Sequence, residues 1–414
     1  MQTRRLMVCG LVMILVLWSG LGWAQQPRHG GTLRIALSGD LTFLNANQGP
    51  APGYETFWIW NNIFNSLLSM TPPPELKIVP ALATLCDVLD EGKAYVFKEW
   101  VPGKHIILEK NPTYFKPDLP YLDTVEFRVM KGPLTASAAL RAGEVDLIAR
   151  VPIQQALVLE KMPGITVLTG PAMAPTVALL NMRVKPFDDA RARRAVGGYG
   201  LDRAEIAKVA FHGRSKPLVS VLAQGVPDAI DLNEMYPYNP EEAKRLLKEL
   251  GYDAQHPLQF TILVSNHDST LADIAALVKT QLAKIGVEAK INLMDLTAVI
   301  DRFVVKHDFD MTINSFADLL DINMRSVSFF KGAQADYLGM DDPKLEEMVR
   351  QWRRSLEPSK RLAISADIQR LLAEQMYWVN IAGYPFFRAH TAKVQGFPFY
   401  GQAYLFLEST WLNK

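Results

Sequence analysis

Beyond residue 200 the apolar positions alternate between helical and strand periods. Asn239-Pro240-Glu241-Glu242 places an N-cap, a first-turn proline and two dipole-matching acids ahead of an apolar face at Ala243, Leu246, Leu247 and Leu250, and Gly251 closes the helix. Residues 258–264 are apolar-rich and predict a strand. Across 269–285, Leu271, Ile274, Ala275, Val278, Leu282 and Ile285 fall at helical spacing, and 287–293 alternates. The three segments predict a βαβ unit and therefore a parallel sheet. A helix at 296–305, a strand at 309–316, and helices at 343–355 and 359–375 extend it. Earlier in the chain, strands are expected at 34–37, 106–109, 124–129 and 176–181 and a helix at 133–142, which makes a second α/β lobe.

The first residues follow neither period. Arg4 and Arg5 precede an apolar run from Leu6 to Leu21 and then Gly22-Trp23-Ala24, the layout of a secretory signal peptide ending at residue 24. An uncleaved anchor is the alternative, although the run is short beside the roughly 20 residues of a span. Losing residues 1–24 removes two arginines and no acid, so the formal charge moves from +1 to about −1 and nucleic acid is not an expected partner. Cys9 would leave with the signal, so Cys86 stands alone and no internal disulfide is expected. The 49% apolar and 21% charged composition over 414 residues suits two or three globular domains.

Four blocks carry a resemblance. They are Gly30-Gly31-Thr32-Leu33-Arg34; Pro80-Ala81-Leu82-Ala83; residues 98–115, read as Lys-Glu-Trp-Val-Pro-Gly-Lys-His-Ile-Ile-Leu-Glu-Lys-Asn-Pro-Thr-Tyr-Phe; and Leu180-Asn181-Met182 leading to Pro186-Phe187-Asp188-Asp189-Ala190-Arg191-Ala192-Arg193-Arg194-Ala195 and Leu201-Asp202-Arg203. In this order they resemble the solute-binding proteins of the peptide/nickel (dipeptide and oligopeptide) ABC importers. The resemblance covers most of residues 30–414. It implies an α/β fold of two lobes, the Venus-flytrap periplasmic-binding-protein fold of the large peptide-binding class. In that family roughly a hundred residues separate the strand at 94–97 from the Lys-Glu-Trp block, whereas here they abut, so the small extra subdomain is expected to be truncated at Phe97-Lys98. The expected domains are 25–45 with 98–198 and 383–414 as the first lobe, 46–97 as the remnant of the small subdomain, and 199–382 as the second lobe. Crossings are expected near 186–201 and 381–385.

The resemblance also implies a function. It predicts a monomeric periplasmic protein that captures a peptide-like or other small polar solute and delivers it to an ABC permease and its ATPase, with no cofactor and no catalysis. Asp318 matches the family's aspartate that pairs with a peptide amino terminus, and on its residues alone it could equally N-cap the following segment. Ser315, Phe316 and Asp321 flank it, and Ser315 stands where peptide binders tend to carry tryptophan. Tyr384 and Phe386 fall where the family places aromatic residues at the second crossing, with core packing as the alternative for Phe386 and Phe387. Phe57, Trp60, Phe64 and Leu67 have helical spacing and predict a core face with Trp58 beside it. Arg191, Arg193 and Arg194 predict a solvated helix face. The histidines show no paired metal spacing, Asp301, His307, Asp308 and Asp310 read as a solvated helix end and strand start, and no hydrolase, phosphate-loop or dinucleotide motif occurs. A truncated, non-transporting relative serving as an interaction protein is the alternative reading, and a secreted hydrolase a weaker one.

Overall fold

The structure is a computed structural model that describes residues 26–41, 54–63, 68–70, 78–80, 83–84, 87–88, 94–170, 172, 174–316, 322, 327–332, 336–399 and 404–413. The signal-peptide segment, Phe64, Leu67, Cys86, Asp318 and Asp321 lie outside the described residues. Two large sheets organise the chain. The first has seven strands in the order Ile165–Thr169, Phe387–Thr391, Leu147–Ile148, Thr32–Leu37, Thr124–Val129, His105–Lys110, Tyr95–Val101. Its centre is parallel, with Ile35 paired to Phe127 on one side and Leu147 on the other. The second has five strands in the order Val287–Met294, Leu258–Ser265, Met311–Ser315, Ala174–Leu180, Asn380–Tyr384. Leu258–Ser265 and Val287–Met294 pair in parallel around the helix Ser269–Ala283, which is the βαβ unit the periodicity predicts.

Local chemistry explains the elements. Asn239 Oδ1 accepts from Glu242 N at 3.1 Å, Pro240 opens the helix Pro240–Glu249, and Ala243, Leu246 and Leu247 form its buried face. Asp342 caps Pro343–Arg354 by accepting from Lys344 N and Leu345 N. The strand Ala174–Leu180 is buried at every position, as a central strand covered on both faces must be. Alternate residues enter different clusters: Ala178 and Leu180 face one, Val177 and Leu179 the other. Each buried leucine or valine contributes about 1.5–3 kcal/mol. One apolar cluster runs across both sheets, from Leu140, Ile148, Ile153 and Leu159 to Phe211, Ile262 and Leu282.

Among the described residues the chain crosses between the two large sheets twice, and the first crossing corrects the expected boundary. Ala174–Leu180 belongs to the second sheet, paired with Met311–Ser315 and Asn380–Tyr384, so the chain leaves the first lobe between Thr169 and Ala174 rather than at 186–201. An all-apolar strand carries no mark of which sheet it joins. The return lies between Tyr384 and Phe387, where consecutive strands sit in different sheets. The crossings touch: a Cβ on Gly383 would collide with the carbonyl oxygen of Ala172.

The Phe97-Lys98 junction falls inside a single edge strand of the first sheet, not at a break. Phe97 pairs with Leu108 and Glu99 with Ile107, so Lys98 is the extra residue of a β-bulge. Upstream, Leu68–Met70 pairs with Ile78–Pro80 and Ala83–Thr84 with Asp87–Val88 as short antiparallel ladders. The helix Tyr54–Ile63 buries Trp58, Ile59 and Ile63, and Trp60, partly buried, packs against the same apolar cluster.

Candidate binding cleft

The resemblance-bearing blocks build the scaffold. Asn181 is fully buried: its side-chain amide donates to His307 O at 3.0 Å and Phe309 O at 2.8 Å, and its Oδ1 accepts from Arg183 N. Arg193 corrects the expectation of a solvated face. It is 3% exposed, donates to the carbonyls of Phe187, Asp188 and Gln375, and stacks over Tyr377. Arg191 stays exposed on Asp189, and Arg194 donates to Glu374 O. In Leu201-Asp202-Arg203, Asp202 caps the helix Arg203–Ala210 and Arg203 donates to the carbonyls of Asn380, Gly198 and Gly197. Burial pushes the Arg203 guanidinium down to about 10. Trp100 Nε1 donates to Asp40, Tyr114 to Glu408, and Gly31 N to Asp123 Oδ2 at a backbone φ of +97°.

Hydrogen bonds fix which ends of the two sheets meet. Val151 N donates to Phe387 O, so the turn after Leu147–Ile148 sits at the return crossing. Phe316 N donates to Pro175 O, placing the end of Met311–Ser315 at the first crossing, and the parallel pairing of Leu258–Ser265 brings Ser265 to Asp268 to the same edge. Arg150 from the first lobe and Asp268 from the second meet there at 3.5 Å, with side chains 26% and 11% exposed. Asp268 N-caps the helix Ser269–Ala283 by accepting from Thr270 N at 3.0 Å, and Tyr384 Oη donates to its other oxygen at 2.7 Å. Burial first, then the Asp268 charge, raises the Tyr384 phenol well above its usual range, so it remains a donor. His267 Nδ1 lies 2.9 Å from Ser265 Oγ. Burial lowers the His267 pKa against the opposing pull of Asp268, with Arg150 adding to the lowering.

The residues expected at the site divide. Tyr384 reaches the lobe edge where it bonds Asp268, its ring edge-on to Phe211 at 5.3 Å. Ser315 is half-buried opposite Thr176, and the hydroxyls of both are buried without a hydrogen-bond partner. The ring of Phe316 lies 5.5 Å from that of Trp378. Phe386 is a correction: at 2% exposure it is a core ring between Trp58 and Phe399, beside the buried Arg388 guanidinium, and Phe387 is equally buried. Sequence reasoning missed Arg150, His267 and Asp268. The Asp268-Ser269-Thr270 cap at a strand-to-helix turn was the available signal for the last.

Other polar groups are committed elsewhere. Asp301 pairs with Lys306, Asp308 with Arg302, and Asp310 accepts from Thr261 N. Among the described residues no group of three or more His, Cys, Asp or Glu could hold a metal ion, and no helix is long and apolar enough to cross a membrane. A second cross-lobe pair, Arg214 with Glu160, is bidentate at 2.6 and 2.8 Å. It borders a cavity of about 450 Å³ lined by Arg214, Lys216, Gln224, Ala172 and Gly383. That cavity lies along the outer edge of Asn380–Tyr384, where Leu218 N bonds Ile381 O, away from the Arg150 and Asp268 contact.

Two α/β lobes, joined by paired crossings and meeting at a charged edge, define a two-lobe binding protein of the periplasmic type. Residues 93–335 match the bacterial extracellular solute-binding proteins, family 5 middle region, and the chain belongs to that family. The glutathione-binding protein GsiB of Escherichia coli (strain K12) is 31% identical over 204 residues, 49% of this chain and 38% of that relative. GsiB of Pectobacterium atrosepticum is 32% identical over 205 residues, with the same coverage. The matched region thus spans well under half the length of these curated relatives. Among solved structures, the oligopeptide-binding protein AppA of Bacillus subtilis, in complex with a nonapeptide, has a TM-score of 0.76 at 18% identity, covering 94% of this chain and 100% of that one. DppA of Helicobacter pylori, in complex with the peptide STSA, has a TM-score of 0.77 at 18% identity, covering 94% and 99%. NikA of Staphylococcus aureus, in complex with Ni(L-His)2, has a TM-score of 0.74 at 17% identity, covering 92% and 100%. These likenesses establish the fold.

Proposed function

We propose that the chain is the extracytoplasmic solute-capturing component of an ABC importer, holding a peptide-like or other small polar solute between its lobes and handing it to a membrane permease powered by an ATPase. The observation that carries this is the meeting of Arg150, Asp268 and Tyr384 from two lobes and a crossing at one partly exposed edge. Such an edge supplies convergent polar groups that fix a solute's ends, and closure over the solute excludes water and strengthens each charge-assisted bond. The solute works by binding the closed arrangement better than the open one, and the permease reads the closed shape. Ser315, Phe316 and Tyr384 belong to this proposed site, with Asp318 and Asp321 following from the resemblance. Residues 1–24 act as the export signal, and the mature protein works as a monomer in the periplasm. The relatives named for glutathione and the neighbours solved with peptides favour a peptide-like solute over a sugar.

The test is calorimetry of residues 25–414 with trialanine and glutathione, paired with small-angle scattering. Binding of at least one peptide in the micromolar range, about −8 kcal/mol, with a radius that shrinks on binding is the expected result. No heat with either peptide and an unchanging radius would favour the second reading, a non-transporting relative. The short span of the match to the curated relatives is the observation behind that reading.

A further inference from the structure

We propose that the turn between the helices Pro343–Arg354 and Pro358–Glu374 is a membrane-contact tip, which seats on an anionic phospholipid surface through Leu356 and the basic side chains around it. The contact goes beyond solute capture and stands or falls without it. Pro358 opens the second helix with only residues 355–357 between it and the end of the first. Leu345, Val349 and Trp352 of the first helix join Ile368, Leu371 and Leu372 of the second in one buried cluster. The apolar stripes of both helices are therefore spent inside the lobe, and the turn that joins them is left to solvent.

Leu356 is 92% exposed, the most exposed large apolar side chain among the described residues. Around it, residues 353–361 carry four basic side chains, Arg353, Arg354, Lys360 and Arg361, against one acid, Glu357, in a chain whose formal charge is only +1. Arg354 and Lys360 are exposed, and among the described residues neither is in an ion pair. Arg353 lies over the Phe330 ring at 5.2 Å and Arg361 over the Trp352 ring at 3.9 Å. A ring face steadies a guanidinium without neutralising it. Apolar surface that enters the headgroup boundary, flanked by cations that meet lipid phosphates, is the makeup of an interfacial anchor. A protein partner fits less well, because a stable protein interface takes roughly 20–30 residues a side and this tip offers far fewer. One leucine with a few cations gives a weak, reversible hold on the bilayer.

The test is sedimentation of residues 25–414 with vesicles of equal parts phosphatidylglycerol and phosphatidylcholine and, separately, of phosphatidylcholine alone, with thermal melts run alongside. Each Lys or Arg near an anionic surface contributes roughly a fivefold gain, so wild type should partition about tenfold or more in favour of the anionic vesicles. Arg354→Gln and Lys360→Gln should each lose about fivefold on those vesicles, and Leu356→Ser should lose about as much. All three variants should melt at the wild-type temperature, since the side chains they change are exposed. Equal partition of wild type onto both kinds of vesicle, or glutamine variants that sediment as wild type does, overturns the proposal. Glutamine variants that lose binding beside a Leu356→Ser that keeps it would mark a purely ionic surface, as for an acidic protein, and overturn the bilayer seat. None of these outcomes bears on the trialanine calorimetry, so the two readings fail separately.

Discussion

Behind the second sheet Arg203 is 5% exposed and gives its guanidinium to three backbone carbonyls, whereas at the lobe edge Arg150 is 26% exposed and meets an Asp268 oxygen at 3.5 Å. The two side chains are chemically identical and differ in burial and in the partner each one reaches. Arg203, with Arg193 and Asn181, is consumed by the backbone: each ties together segments far apart in sequence and supplies donors that buried carbonyls would otherwise lack. Arg150 instead reaches from one lobe to an aspartate of the other, with a quarter of its side chain exposed. A buried guanidinium on backbone carbonyls organises one lobe, whereas a part-exposed one facing a carboxylate across the lobe edge links two.

That contrast can be broken most directly at Arg203. Arg203→Met keeps most of the stem and leaves three buried carbonyls without a donor, so a loss of about 3 kcal/mol is expected in urea unfolding; a loss under about 1 kcal/mol would sink the carbonyl-clamp account. Asn181→Ala removes two donors and the acceptor for Arg183 N and should cost about 2 kcal/mol while leaving trialanine affinity unchanged. A changed affinity would mean that the scaffold and the cleft are not separable in this way.

The smallest expected effect concerns acid. Burial is the leading cause lowering the pKa of both His267, at the cleft edge, and His390, inside the first lobe, from the usual 6.5. As pH falls below that value the unfolded chain takes up protons that the folded chain resists, so stability is full above the unfolded pKa and declines on acidification. Denaturant midpoints at pH 7.5 and 5.5 should fall with pH, and His390→Gln should flatten the decline without altering solute affinity at pH 7.5. A midpoint that rises on acidification would reverse the sign and remove burial as the governing cause.

The same contrast decides what the sequence could reveal. Helices with their own caps, such as Pro240–Glu249 and Pro343–Arg354, are legible because the signal is local: an asparagine or aspartate, a proline and an apolar stripe within a few residues. The family blocks are legible because backbone satisfaction fixes them residue by residue. Sheet membership is another matter. Ala174–Leu180 could pair in either sheet, and only its register with Met311–Ser315 assigns it to the second. The contact between the lobes was hardest to read: Tyr384 and Asp268 are 116 residues apart in sequence, and Arg150 joins them from another lobe. Phe386 carries the same adjacent aromatic signal as Tyr384, yet it turns into the core of the first lobe. The backbone between them changes sheets.

The near contact of Gly383 with Ala172 fastens the two crossings to each other. Two crossings that touch backbone to backbone act as a pin, not a strap. Where they meet, even one added carbon has no room. A methyl group at position 383 would be a shim driven into the joint, forcing the two crossings apart.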